Sequence, residues 1–117
     1  MTKQLRVAFV TIEEGDDLIL GFALAPHAHD MLTVFRSPHL EHIFPPEQRG
    51  IEVALDDEDE ESDLLREVVW TDDAVVLRTD RHAYVLDIQA VSDEDIGDAK
   101  ALLQRMAADG AARLEGV

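Results

Sequence analysis

Residues 65–90, LREVVWTDDAVVLRTDRHAYVLDIQA, decide the fold more than any other part of the chain. Three apolar runs, each with a two-residue period, are separated by two short polar segments. Such alternation is typical of half-buried strands, and polar segments between the runs indicate turns. The stretch therefore predicts a three-stranded meander in which Tyr84, Leu86 and Ile88 share one face. Trp70, at the end of the first run, is expected in the core because large aromatic side chains in strands usually pack.

Four further strands are predicted upstream of the meander, at about residues 5–10, 18–24, 31–36 and 51–55. In the first of them, Leu5, Val7 and Phe9 occupy alternate positions and are expected on one face. The first two strands flank an acidic turn that contains a glycine, which predicts a hairpin. Gly21, inside the second strand, indicates a bulge or a close approach of another backbone.

The last element has the period of a helix. Ser92 followed by three acids is typical of an N-cap and an acidic first turn. Apolar residues recur at helical spacing from Ile96 to Met106, and Gly110 lies where a glycine commonly ends a helix. The expected fold class is therefore α+β, with an antiparallel curled sheet of about six to seven strands and one C-terminal helix. We expect a single domain over residues 1–117, with an ordered core of about residues 4–110.

The charge balance excludes several classes of partner. The chain has 117 residues, with 26 Asp and Glu against 10 Lys and Arg, a formal net charge of -16 and no cysteine. Nucleic acids and anionic membranes favour clustered cations, so neither is expected as a partner. The absence of cysteine excludes disulfides, thiolate metal sites and a cysteine nucleophile. The apolar runs are too short for a signal peptide or a membrane span, so a cytoplasmic protein is expected.

One acidic run is the predicted partner-binding surface. It consists of Asp56, Asp57, Glu58, Asp59, Glu60, Glu61, Ser62 and Asp63. The run lacks the glycine and the alternating ligands of a calcium-binding loop, and it is expected to be solvated. A dense negative patch accelerates association with a basic protein, so the seven acids are the predicted contacts for such a partner. The alternative is a solvated loop that only keeps the protein soluble.

Four histidines suggest a different function. His27, His29, His39 and His42 all lie in segments that are predicted to be irregular, where binding residues are common. Imidazoles bind zinc or nickel, so a metal-binding or metal-sensing domain is one alternative. Their spacing matches no metalloenzyme pattern, so no metal is assigned to them. Without a metal, these side chains fit pH-sensitive contacts with a partner.

No catalytic motif is found in the sequence. It contains neither a nucleophile elbow nor a glycine-rich phosphate loop, and its paired carboxylates have structural roles in a turn and a helix cap. A non-enzymatic protein without a cofactor is therefore expected. A structural homo-oligomer is a further alternative, because one helix covers one face of the sheet and leaves a strand edge or the other face for contact.

Four short motifs resemble a known family. They are Gly21-Phe22-Ala23, Leu32-Thr33-Val34-Phe35-Arg36, Gly50-Ile51-Glu52-Val53 and Asp56-Asp57-Glu58. In this order, and followed by a C-terminal helix, they resemble the bacterial immunity proteins of polymorphic toxin systems, in the family numbered ten. The chain departs from that pattern at Glu58, where the family has Gln, and at Asp63-Leu64-Leu65, where it has Tyr-Gly-Gly. The resemblance implies a small cytoplasmic antitoxin that binds and blocks a cognate toxin.

Overall fold

The computed structural model describes residues 2–25, 30–55 and 63–117. Within them the strands are β1 (Thr2–Glu14), β2 (Leu18–Ala25), β3 (Met31–Arg36), β4 (Glu52–Leu55), β5 (Asp63–Trp70), β6 (Ala74–Thr79), β7 (Ala83–Asp87) and β8 (Arg113–Glu115). The helix α1 spans Asp93–Met106, and two short 3-10 helices span Pro38–Ile43 and Pro46–Gln48. This content confirms the α+β class.

The strands form one sheet in the order β4-β3-β2-β1-β7-β6-β5-β8, and β4 also pairs with the start of β5. The meander β5-β6-β7 is antiparallel, as predicted. The sheet as a whole is mixed, because β1 runs parallel to β7 and β5 runs parallel to β8. The prediction of an antiparallel sheet is therefore only partly right. A strand with one buried face alternates in the same way whichever direction its neighbour runs, so the alternation did not reveal the two parallel pairs.

A bulge in β1 overturns one expectation about its faces. Val7 lies opposite Leu24 and Phe9 lies opposite Ala23, so β1 holds one extra residue at this point. An extra residue moves the side chains that follow it to the other face of the sheet. Val7 is fully buried while Phe9 is 44% exposed, and the prediction that they share a face is wrong.

Gly21 in β2 allows a close approach of side chains rather than of a backbone. A Cβ atom at this position would lie 2.5 Å from the Thr11 hydroxyl and would overlap the terminal methyl of Met31. Thr11 lies directly opposite Gly21 on β1, and Met31 is on β3, the other neighbour of β2. The glycine therefore makes room for the side chains of both flanking strands.

The core lies between the inward face of the curled sheet and α1, which packs against β1 and β2. Leu102, Leu103 and Met106 of the helix are almost completely buried. Trp70 is 6% exposed, which confirms its predicted place in the core, and the Lys100 ammonium lies 5.4 Å from its ring centroid. No helix among the described residues is both long enough and apolar enough to cross a membrane.

The start of α1 follows the sequence closely, whereas its end does not. The Ser92 hydroxyl accepts a hydrogen bond of 3.2 Å from the Asp95 N–H, which confirms the predicted N-cap. The helix ends at Met106 with Ala107 as its C-cap, so the expectation that Gly110 ends it is wrong; Gly110 has a φ of 82° in the turn that follows. Residues 113–115 then form β8 beside β5, beyond the predicted ordered core.

Replacing Gly97 by alanine should stabilise the protein. Gly97 lies inside α1, and a Cβ atom there would have no neighbour within 4 Å. Alanine is favoured over glycine in a helix by about 1 kcal/mol, so Gly97→Ala should raise the melting temperature by about 4 °C in calorimetry. Gly110→Ala is the control and should lower it, because alanine is strained at a positive φ. A lower melting temperature for Gly97→Ala would contradict the placement of this residue.

Candidate functional site

The acidic run connects β4 to β5, and these two strands pair with each other next to the connection. Val53 of β4 pairs with Asp63 of β5, and Glu52 pairs with Leu64. Six of the predicted contact residues, Asp56, Asp57, Glu58, Asp59, Glu60 and Glu61, lie outside the described residues. The structure therefore fixes where this acidic segment starts and ends on the sheet.

Asp63, the last acid of the run, is buried rather than solvated. It is 8% exposed and accepts hydrogen bonds from the Thr79 hydroxyl and, at 2.8 Å, from the Arg81 N–H. The Arg81 Nε and His82 Nδ1 atoms each lie 3.6 Å from its carboxylate. The expectation that the whole run is solvated is wrong at this residue, because the turn between β6 and β7 supplies it with donors. Asp63 anchors one end of the acidic connection.

The pKa of Asp63 shows which of two opposing effects is larger. Burial of the carboxyl group raises its pKa, since the charged form loses hydration. The hydrogen bonds from Thr79 and Arg81, together with the Arg81 charge, outweigh burial, and the pKa lies below its usual value. Asp63 is therefore ionised at neutral pH.

Arg36 joins three separate parts of the chain at the end of β3. Its Nε and Nη2 atoms donate to the two Glu41 oxygens at 2.6 and 3.1 Å. Its Nη1 and Nη2 atoms donate to the two Asp109 oxygens at 2.9 and 2.7 Å, and Nη1 also donates to the Met106 carbonyl at 2.5 Å. These contacts use all five N–H donors of the guanidinium group. Arg36 thus fastens the first 3-10 helix and the end of α1 to the sheet.

This arginine lines a cleft of about 520 Å³ together with Glu41, His42, Arg49 and Asp109. The hydrogen bonds from Arg36 are the main reason why the pKa of Asp109 is lowered to about 2. A carboxylate with so low a pKa is a poor general base at neutral pH. The acids of the cleft act as ion-pair partners of Arg36, and the cleft has the character of a structural junction.

Two of the four histidines of the predicted metal or contact site, His39 and His42, lie on the first 3-10 helix. This helix begins with Pro38, and it buries none of its side chains. His39 Nδ1 is 3.1 Å from the Asp16 carbonyl oxygen, while His42 lines the cleft beside Arg36. In the parts of the chain that are described, no three His, Asp or Glu side chains are grouped to hold a metal. His27 and His29 lie outside the described residues.

An exposed apolar patch accompanies these histidines. Leu40, Ile43 and Phe44 are all exposed, with Ile43 at 63%. The segment is held by the Arg36–Glu41 pair and by a 2.9 Å hydrogen bond from Arg49 Nε to the Phe44 carbonyl. Fixed apolar side chains at a surface are typical of protein contacts.

The comparisons with known proteins give no match: no family model, no curated protein and no solved structure matches the chain. The resemblance to the immunity-protein family is a prediction that depends on the four short motifs. Two of those motifs coincide with strands, since Gly21-Phe22-Ala23 lies in β2 and residues 32–36 lie in β3.

The stability of the protein should fall steeply in acid. Asp63 and Asp109 have lowered pKa values in the folded state, so at low pH the unfolded chain binds more protons than the folded one. Their stabilising effect is complete above the usual aspartate pKa, about pH 4, and is lost as the pH falls through the lower folded values. Urea unfolding between about pH 2 and pH 7 measures this loss. Asp63→Asn should flatten the profile below about pH 4, whereas Asp72→Asn, in an exposed turn, should not. Equal profiles for both variants would contradict this account of Asp63.

Proposed function

We propose that the protein is a non-enzymatic binding protein that holds a basic protein partner against its acidic surface. The resemblance to immunity proteins supports a toxin as that partner and the cytoplasm as the compartment. The proposal depends most on one observation, which is how the few cations of the chain are used.

At least six of the ten Lys and Arg residues form ion pairs with carboxylates of the same chain. The pairs are Arg6–Asp87, Arg36–Glu41, Arg66–Asp80, Arg78–Glu67, Arg81–Asp63 and Arg105–Glu14. Each pair cancels one positive and one negative charge locally, so the net charge of the chain stays at -16 and is carried by the remaining carboxylates. A partner therefore meets a surplus of carboxylates and few available cations, which favours a cationic protein.

The paired strands on either side of residues 56–61 support these six acids as the first contacts with the partner. The β4–β5 pairing and the buried Asp63 carboxylate fix both ends of the segment on the sheet. Fixed ends reduce the entropy that is lost when a segment binds. The Asp63 carboxylate is already bonded to Thr79 and Arg81, so the proposed contacts are limited to Asp56, Asp57, Glu58, Asp59, Glu60 and Glu61.

The test is capture of the partner by the immobilised protein from an extract of the source cells at low salt. We expect a single protein, recovered in equal molar amount and identified by mass spectrometry, with an isoelectric point above about 9. About 0.5 M NaCl should release it, because this concentration shortens the Debye length to a few Å. Recovery of an acidic protein, or of a protein that resists release by salt, would contradict the proposal. Efficient turnover of a small molecule would contradict its non-enzymatic part.

A further inference from the structure

The outward surface of the first four strands is apolar, although it faces away from the core. The inward apolar residues of β2, β3 and β4 belong to the core, as does Val7 of β1, whereas Phe9, Ile19, Met31 and Phe35 lie outside the core cluster. These four side chains define what we call the β1–β4 outer face. Phe9 is 44% exposed, and the other three are half-buried.

Small residues lie between these four side chains. The strand register aligns Thr11, Gly21, Thr33 and Ala54 in one row across β1 to β4. Ala23 lies between Phe9 and Met31 in the next row, and it is fully buried although it is not part of the core cluster. The face thus has a tightly packed floor of small residues with large apolar side chains around it. Such a surface suits contact with another protein.

Acids border this face, and its own positions hold no cation. Glu13 and Glu52 occupy the two ends of the row that also contains Ile19 and Phe35. From Phe9 onward, none of the outward positions of β1 to β4 is Lys or Arg. Beyond Leu55, β4 leads directly into the six acids of residues 56–61. Acidic residues therefore adjoin the apolar face at both of its edges, on β1 and on and after β4.

The outer surface of the opposite half of the sheet differs in charge. Val69, Val76 and Val85 form an outward row across β5 to β7. On the same strands Arg78 pairs with Glu67 at 3.3 Å, and Arg66 pairs with Asp80 at 2.6 Å. The acids of this half are thus balanced by neighbouring arginines, and its apolar row makes a matched control.

We propose that the β1–β4 outer face is the docking surface for the basic partner, whose own surface has an apolar centre surrounded by Lys and Arg. This inference rests on the proposed function, because it places the partner of that function on a particular part of the fold. A second copy of the chain fits less well. Two copies packed through this face would bring chains of net charge -16 together with acidic borders on both sides.

The first step of the test identifies the partner at residue resolution. A photo-cross-linking phenylalanine analogue replaces Phe35 in one sample and Val76 in another, and both are irradiated in the same cell extract. We expect position 35 to cross-link to a basic protein, which is then purified as the titration probe. Position 76 should give no cross-link to that protein.

The second step measures the affinity of the purified probe for four variants. Phe35→Ser should weaken binding at least tenfold, as expected for an aromatic contact at the centre of an interface, while Val76→Ser should leave it unchanged. Thr33→Lys and Thr33→Glu place side chains of similar length in the middle of the face. The lysine variant should bind at least tenfold more weakly than the glutamate variant, because only the lysine repels a cationic surface. Both Thr33 variants should disturb folding to a similar extent, so the difference between their affinities reports the effect of charge.

The outcomes separate this inference from the proposed function. If neutralising residues 56–61 weakens binding while Phe35 and Thr33 variants bind normally, the docking face is wrong and the acidic binding function stands. If neither set of variants matters, both are wrong. If position 35 cross-links to no basic protein although the immobilised protein captures one, the docking face is wrong and the acidic binding function stands. A cross-link from position 35 to a second copy, with association that strengthens as salt is added, would assign the face to a homodimer and overturn the inference.

Discussion

Arg36→Met should lower the free energy of unfolding by about 3 kcal/mol, the largest loss expected from any single surface or junction substitution in this protein. The methionine keeps much of the aliphatic volume but removes all five donors. Glu41 and Asp109 would then face each other without the cation between them, and the Met106 carbonyl would lose its partner. Removing one member of a partly buried ion-pair network costs more than removing an exposed pair, since Glu41, whose side chain is 18% exposed, stays poorly solvated. Urea unfolding at neutral pH measures the loss of free energy. Thermal unfolding should show a melting temperature that is lower by roughly 10 °C.

Arg66→Met is the matched control for this prediction. Arg66 also forms a two-point contact with a carboxylate, at 2.6 and 3.0 Å from the Asp80 oxygens, but both side chains are about half exposed. Exposed pairs contribute at most about 1 kcal/mol, so this variant should unfold close to the native protein. Equal losses for the two variants would show that the junction at Arg36 has no special role.

Neutralising the acidic run should slow binding of the basic partner about tenfold or more at low salt. The variant carries Asp57→Asn, Glu58→Gln, Asp59→Asn and Glu60→Gln, which change charge and little else. Electrostatic attraction raises association rates by about 10- to 1000-fold, and the effect disappears as salt screens it. Stopped-flow or surface-binding kinetics should therefore show a lower association rate at about 50 mM salt and almost equal rates at about 0.5 M.

The control for this second prediction removes the same number of charges elsewhere. Asp72→Asn, Asp73→Asn, Asp98→Asn and Glu115→Gln are all exposed, and the first two lie in the turn at the other end of β5 from Asp63. Both variants have the same net charge, so a difference between them reports the position of the charge. If the control slows association as much as the run variant does, residues 56–61 are not the contact surface.

The sequence predicted the parts of the fold that depend on near neighbours. The meander β5-β6-β7 follows from alternation interrupted by short turns, and its strands pair with those next in sequence. The Ser92 cap and the apolar stripe of α1 are also local features. In each case, residues within a few positions of one another carry the physical cause.

Pairings between distant segments were not predictable from the same pattern. Thr2–Arg6 lie beside Ala83–Asp87 in parallel, although about eighty residues separate them along the chain. The bulge after Val7 depends on how β1 fits against Leu24 and Ala23 of β2. It reversed the face of Phe9 and so created part of the proposed docking surface.

In the candidate site, too, local features were predictable from the sequence and contacts between distant residues were not. Arg36 follows Leu32 and Val34 at alternate positions of β3, so its inward orientation could have been predicted from the spacing alone. Its partner Asp109 could not, because it is 73 residues away in sequence. Asp63 is predicted to be solvated because six acids precede it in the run. In the structure it is buried, and the groups that donate hydrogen bonds to it, on Thr79 and Arg81, are 16 and 18 residues away in sequence.

The dependence of partner affinity on salt tests the central claim most directly. The dissociation constant of the purified complex should be measured by titration calorimetry from about 50 mM to about 0.5 M NaCl, together with the association rate. If carboxylates of this chain hold a cationic protein, the affinity should weaken at least tenfold over this range, mainly through slower association. An affinity that stays constant or increases with salt would contradict the claim.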